Sequence, residues 1–96
     1  MKAITKITQS PLFAKQKKKL HQNRIRDLDE AIRTIVKEPE AGHLKIGDLS
    51  GIRVYKFQSL QERVLLAYEV EENHLYLYAF GTYENFYRRL KKYLDR

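Results

Sequence analysis

Arginines and tyrosines are the side chains best placed for chemistry in this 96-residue sequence: Arg53 and Arg63 on neighbouring segments, Tyr83 and Tyr87 near the C-terminus. A guanidinium can hold a phosphate through two parallel hydrogen bonds, and a phenol can donate a proton or stack on a nucleobase. Lys45, Lys56, Arg88 and Lys91 supply further positive charge around them. The residue types therefore fit a polyanion. An unperturbed phenol has a pKa of about 10, which makes it a poor base at neutral pH but a competent donor; neighbouring cations lower that value. Other chemistries lack their residues. The chain has no cysteine, which removes disulfides, thiol nucleophiles and thiolate zinc sites together. His21, His43 and His74 are too far apart in sequence for a local metal motif, and no cofactor or metal is implied.

Charge points the same way. The formal net charge is +7 and the pI is near 9.7. Residues 1–26 carry eight Lys and Arg without a carboxylate, and residues 88–96 carry five with only Asp95 against them. Basic ends of this kind raise the local concentration of nucleic acid, ribosome or an acidic protein. No apolar run approaches the roughly 20 residues of a membrane span, and none has the form of a signal peptide, so a cytoplasmic protein is expected. The length suits one domain, residues 1–96, with one modest core.

The elements that must position the cations and phenols follow from hydrophobic period. Residues 3–7 form a β-branched run and read as a strand; Ser10 and Pro11 then read as cap and first turn of a helix with a thin seam of Leu12, Phe13, Gln16 and Leu20. After a joint at residues 21–23, Ile25, Leu28, Ile32, Ile35 and Val36 make a stronger stripe that must stop before Pro39. A helical hairpin is the simplest packing. Residues 44–46 read as a brief strand, and 52–58, 62–70 and 74–80 as three more, joined by connections so short that they must form an antiparallel meander. Gly81 marks a change of period. Beyond it Phe86, Leu90, Tyr93 and Leu94 recur at helical spacing, with Thr82 at the cap and Glu84 in the first turn. One flank of that helix carries Tyr83, Tyr87 and Lys91, while Arg88 and Lys92 point further towards water. The expected fold class is α+β, with helices on one face of the sheet and, on the other, a shallow aromatic groove lined by cations such as Arg53 or Arg63. Strand alternation places Arg53 and Lys56 on opposite faces. The remaining tyrosines read as core residues whose hydroxyls find partners.

This order of elements, with Lys45-Ile46-Gly47-Asp48-Leu49-Ser50-Gly51-Ile52-Arg53-Val54-Tyr55-Lys56-Phe57, Leu65-Leu66-Ala67-Tyr68 and Gly81-Thr82-Tyr83-Glu84-Asn85-Phe86-Tyr87-Arg88-Arg89-Leu90, resembles the RelE/ParE superfamily of toxins from bacterial toxin–antitoxin modules over nearly the whole chain. The resemblance implies a small toxin fold and a cognate antitoxin partner. It implies one of two activities: cleavage of messenger RNA on the ribosome, as by RelE-like endonucleases, or poisoning of DNA gyrase, as by ParE-like proteins. For the nuclease, Arg53, Arg63, Tyr83 and Tyr87 are the expected catalytic residues and Lys45, Lys56, Arg88 and Lys91 the expected RNA-binding ones. Relatives often carry histidine where this chain has Tyr83, and related endonucleases use a C-terminal tyrosine, for which Tyr87 is the candidate. Metal-free cleavage needs a proton acceptor for a ribose 2′-hydroxyl, a donor for the leaving 5′-oxygen, and cations around the extra negative charge.

Overall fold

Ser10 starts the first helix as its place before Pro11 predicts. Its hydroxyl accepts from Phe13 N at 2.9 Å and donates to Tyr78 O at 2.6 Å, so it both caps α1 (Pro11–Lys18) and pins it to the sheet. The computed structural model describes residues 3–95. The side chains of Asp48, Glu84, Asn85, Arg89 and residues 93–95 lie outside that description, and with them the roles expected of Glu84, Tyr93 and Leu94. Helix α2 (Gln22–Lys37) buries Leu28, Ala31 and Ile35, and ends where Pro39 drives Glu38 out of helical conformation, to φ −132°.

The sheet has the order β1-β5-β4-β3-β2, from β1 (Lys6–Gln9), β2 (His43–Leu44), β3 (Arg53–Ser59), β4 (Glu62–Glu71) and β5 (His74–Thr82). Strands β3, β4 and β5 form the expected antiparallel meander, with Arg53 opposite Tyr68, Gln58 opposite Arg63 and Leu65 opposite Gly81. Strand β1 joins the free edge of β5 in parallel, from Lys6 opposite His74 to Gln9 opposite Leu77. It lies later than the β-branched run at residues 3–7 because the edge of β5, rather than local propensity, sets where pairing begins. Past Gln9, α1 takes over that edge: Gln16 donates to Phe80 O at 2.8 Å and accepts from Phe80 N at 3.0 Å, standing in for a neighbouring strand. Strand β2 covers His43 and Leu44 rather than residues 44–46: Lys45 N still follows the register, donating to Ile52 O at 2.8 Å, and beyond it Ile46 faces solvent.

Cross-strand partners share a face, which separates two cores. Helices α1 and α2 place Phe13, Leu28 and Ile35 against Val64, Leu66, Tyr68, Leu75, Leu77 and Phe80. Helix α3 (Tyr83–Asp95) lies on the opposite face, with Phe86 and Leu90 against Val54, Leu65, Ala67 and Ala79. The expectation of helices on one face alone is therefore corrected. Val64 to Tyr68 are all buried, and a central strand apolar on both sides needs cover on both. Two polar links tie α2 to the β3–β4 turn: Ser59, itself buried, donates to Asp27 at 2.8 Å, and Arg24 holds Glu62 at 2.6 Å.

Candidate functional site

Strand β5 runs through Gly81 and Thr82 straight into α3 at Tyr83. Gly81 needs no special backbone freedom there, since an added Cβ would meet only Phe86 Cδ1 at an ordinary 3.9 Å. With Phe86 buried beneath the first turn, Tyr83 and Tyr87 come up on one flank, four residues apart. Their rings meet edge to face at 6.3 Å, and Tyr87 also meets Phe86 edge to face at 5.1 Å. The ammonium of Lys45 stands over the Tyr87 ring, 5.4 Å from its centre, close enough for a cation–π attraction. Tyr83 is 63 % exposed.

Arg63, opposite Gln58 and on the same face as Leu65, joins this flank from below. With Glu62, Thr82 and Tyr83 it lines a shallow open depression where β4 begins and β5 ends. Glu62 is engaged by Arg24, so the carboxylate beside Arg63 is already partnered. Lys56, opposite Leu65, also faces the α3 side and is exposed. Arg88 and Lys91 are exposed on α3 itself. One face thus carries Arg63, Tyr83, Tyr87, Lys45 and Lys56, with phenols set among cations.

Arg53 does not belong to that group. Its partner Tyr68 lies on the α2 face, and five residues of β3, roughly 17 Å at about 3.3 Å per residue, separate it from Gln58, which faces Arg63. Its guanidinium turns to backbone instead, with Nη1 donating to Gly42 O at 2.8 Å and, at 3.5 Å, to Glu40 O. The expected cluster of Arg53, Arg63, Tyr83 and Tyr87 on one face is corrected to the last three. Residue alternation alone foretold the split between Arg53 and Lys56; what it left open was which of the two shares a face with the C-terminal helix.

Tyr68 completes the Arg53 environment and had no chemical role in the sequence reading beyond that of a core tyrosine. Its hydroxyl donates to Pro39 O at 2.7 Å and accepts from Gly42 N at 2.8 Å. Burial pushes the phenol above its ordinary value, outweighing the opposing pull of the Gly42 amide and of Arg53. Since the folded value lies above the unfolded one, this stabilising contribution is fully present below a pH of about 10 and lost as pH rises through the folded value. Gly42 fits beneath this ring only because it lacks a side chain. A Cβ there would lie 2.8 Å from Tyr68 Cε1 and 3.0 Å from Val54 C. Gly42→Ala is expected to destabilise the fold by about 1–3 kcal/mol, the usual cost of overpacking, read as a lower urea midpoint at unchanged slope.

The histidines stay apart from the flank. His74 opens β5, eight residues from Thr82, where it shares a 2.7 Å hydrogen bond with Thr8 and stacks on Tyr76 at 3.9 Å. His43 is exposed on β2. Among the described residues no three His, Cys, Asp or Glu side chains gather as metal ligands, and no helix is long and apolar enough to cross a membrane.

Residues 7–91 match the family model of ParE-like toxins of type II bacterial toxin–antitoxin systems. At the level of sequence, no curated protein matches. Among solved structures, a double arginine-to-alanine mutant of the E. coli toxin RelE in the free state superposes with a TM-score of 0.72 at 16% identity, covering 98% of this chain and 99% of that one. A chain of the intact E. coli RelBE toxin–antitoxin complex gives 0.67 at 16% identity over 82% of this chain and 96% of its own. The YoeB/ParE toxin from Agrobacterium tumefaciens gives 0.64 at 14% identity over 82% and 99%. At such identities the likeness is one of fold.

Proposed function

Because the chain belongs to the ParE-like toxin family of type II bacterial toxin–antitoxin systems, we propose that its toxicity comes from metal-independent cleavage of messenger RNA on the ribosome. The observation that carries this reading is the grouping of Tyr83, Tyr87, Lys45 and Arg63 on one face. In the proposed reaction a ribose 2′-oxygen attacks the adjacent phosphorus in line, a P–O2′ bond forms and the P–O5′ bond breaks. Tyr87 protonates the departing 5′-oxygen, and the 2′-hydroxyl proton passes to water at the exposed Tyr83. Arg63 binds the phosphate as charge builds on it, with Lys45 and Lys56 along the RNA backbone. Arg88 and Lys91 extend the cationic surface towards the ribosome. The products are a 2′,3′-cyclic phosphate and a 5′-hydroxyl, and no metal or cofactor takes part. Action on ribosomes places the toxin in the cytoplasm. Its partner before release is a small antitoxin, in keeping with the RelBE complex whose toxin shares this fold, and an acidic antitoxin segment suits a chain of charge +7.

The family description favours a second reading, a ParE-like poison that binds DNA gyrase through the same basic face without proton transfer. Primer extension on transcripts after induction without antitoxin separates the two. New 5′ ends within translated frames support the nuclease; intact transcripts beside accumulated double-strand DNA breaks support the gyrase poison.

A further inference from the structure

The segment from the end of α2 to Lys45 is held in an unusual way. Strand β2 contributes only two paired residues, His43 with Val54 and Leu44 with Arg53, too short a ladder to fix a chain direction alone. Side chains supply the rest. Tyr68 donates to Pro39 O and takes the Gly42 amide, while Arg53 takes the Gly42 carbonyl. Both backbone polar groups of Gly42 are therefore satisfied by side chains from β3 and β4, and the absence of a Cβ lets the Tyr68 ring close over them. Three residues on, Lys45 N is anchored to Ile52 O at 2.8 Å, and the Lys45 ammonium comes to rest over Tyr87. The chain between Gly42 and Lys45 is clamped at both ends, and its output is the position of one cation beside one phenol.

We propose that Arg53 is a positioning residue: by holding the Gly42 carbonyl it fixes the segment that sets Lys45 over Tyr87, and it touches no phosphate itself. The proposal deepens the reading of the Tyr83–Tyr87 flank as an RNA site and rests on that reading for its consequence in RNA binding. A direct phosphate ligand on the α2 face, with its donors on backbone carbonyls, would stand roughly five strand residues away from Arg63 along the sheet. A positioning role explains why the guanidinium is spent on main chain.

A double-mutant cycle over Arg53→Met, Lys45→Met and both together tests this on the full chain, with two readouts. The first is the NMR shift of the Lys45 ε-methylene protons, which the Tyr87 ring current moves upfield while Lys45 stays over it. R53M is expected to return that shift to the value of a solvated lysine, and Arg53→Lys, which restores a donor, to recover part of it. The second readout is the salt dependence of binding to a single-stranded RNA oligonucleotide. R53M and K45M should each lower the slope of log K against log salt by about 0.7, one single-strand phosphate contact, and the double variant by the same 0.7, because both changes remove the same contact. A slope lowered by about 1.4 in the double variant, or an unchanged Lys45 shift in R53M, overturns the proposal and makes Arg53 an independent contact or a bystander. Should R53M not fold, Arg53→Gln, whose shorter side chain withdraws the donor from the Gly42 carbonyl, must weaken the same upfield shift; an unaltered shift there overturns the proposal as well. If wild type binds no RNA, the nuclease reading fails, while the NMR arm still decides whether Arg53 positions Lys45.

Discussion

Tyr87→Phe is expected to slow RNA cleavage by about 10²- to 10⁴-fold, the usual worth of a positioned proton donor, while changing stability by no more than about 0.5 kcal/mol. The substitution keeps everything the ring does. Its edge contacts with Phe86 and Tyr83 need no hydroxyl, and Lys45 is attracted by the face of a phenyl ring as well as by that of a phenol. Only the hydroxyl is lost. Single-turnover cleavage of a defined message, beside a urea denaturation curve, measures both quantities on one preparation. If Tyr87→Phe cleaves at full rate and Tyr83→Phe does not, proton donation belongs to Tyr83. If both cleave normally, neither phenol moves a proton, and the cations alone carry the effect.

Phe86→Ala is expected to give the opposite pattern. Phe86 is 3 % exposed and packs with Leu90 against the β4–β5 face, so its removal opens a cavity that costs about 3–5 kcal/mol. Against a total of about 5–15 kcal/mol for a native domain, that is a large share for a chain of this size. The urea midpoint should fall well before any active-site group has been touched. Activity should fall with it, because the same ring holds the first turn of α3 and therefore the Tyr83–Tyr87 flank. A variant that stays as stable as wild type would show that Phe86 does not anchor α3.

Much of the scaffold was legible because its signals are local. Ser10 before Pro11 opens α1, Pro39 closes α2, and connections of a few residues force β3, β4 and β5 into a meander. What escaped is set by distant partners. Strand β1 lies where the edge of β5 accepts it, and β2 is placed by its pairing of His43 with Val54 and Leu44 with Arg53. The run Val64-Leu65-Leu66-Ala67-Tyr68 is apolar on both faces, a signal for cover on each that the expectation of helices on one face left unused, and the side taken by α3 depends on how β5 enters Tyr83. The same limit governs the site. Tyr83 and Tyr87 could be paired from helical spacing alone, whereas their pairing with Lys45 and Arg63 is tertiary. The partners of Arg53 lie on residues 40–42, where no sequence spacing points.

The chemistry of the cut ends tests the central claim most directly. Purified protein added to ribosomes programmed with a defined message should yield 3′ fragments whose 5′ ends are labelled by polynucleotide kinase without prior phosphatase treatment, because attack by the 2′-oxygen leaves a 5′-hydroxyl. Arg63→Ala should yield far less of the same product at unchanged stability. Fragments bearing 5′-phosphates, or an intact message under conditions where the protein still arrests growth, would contradict the account.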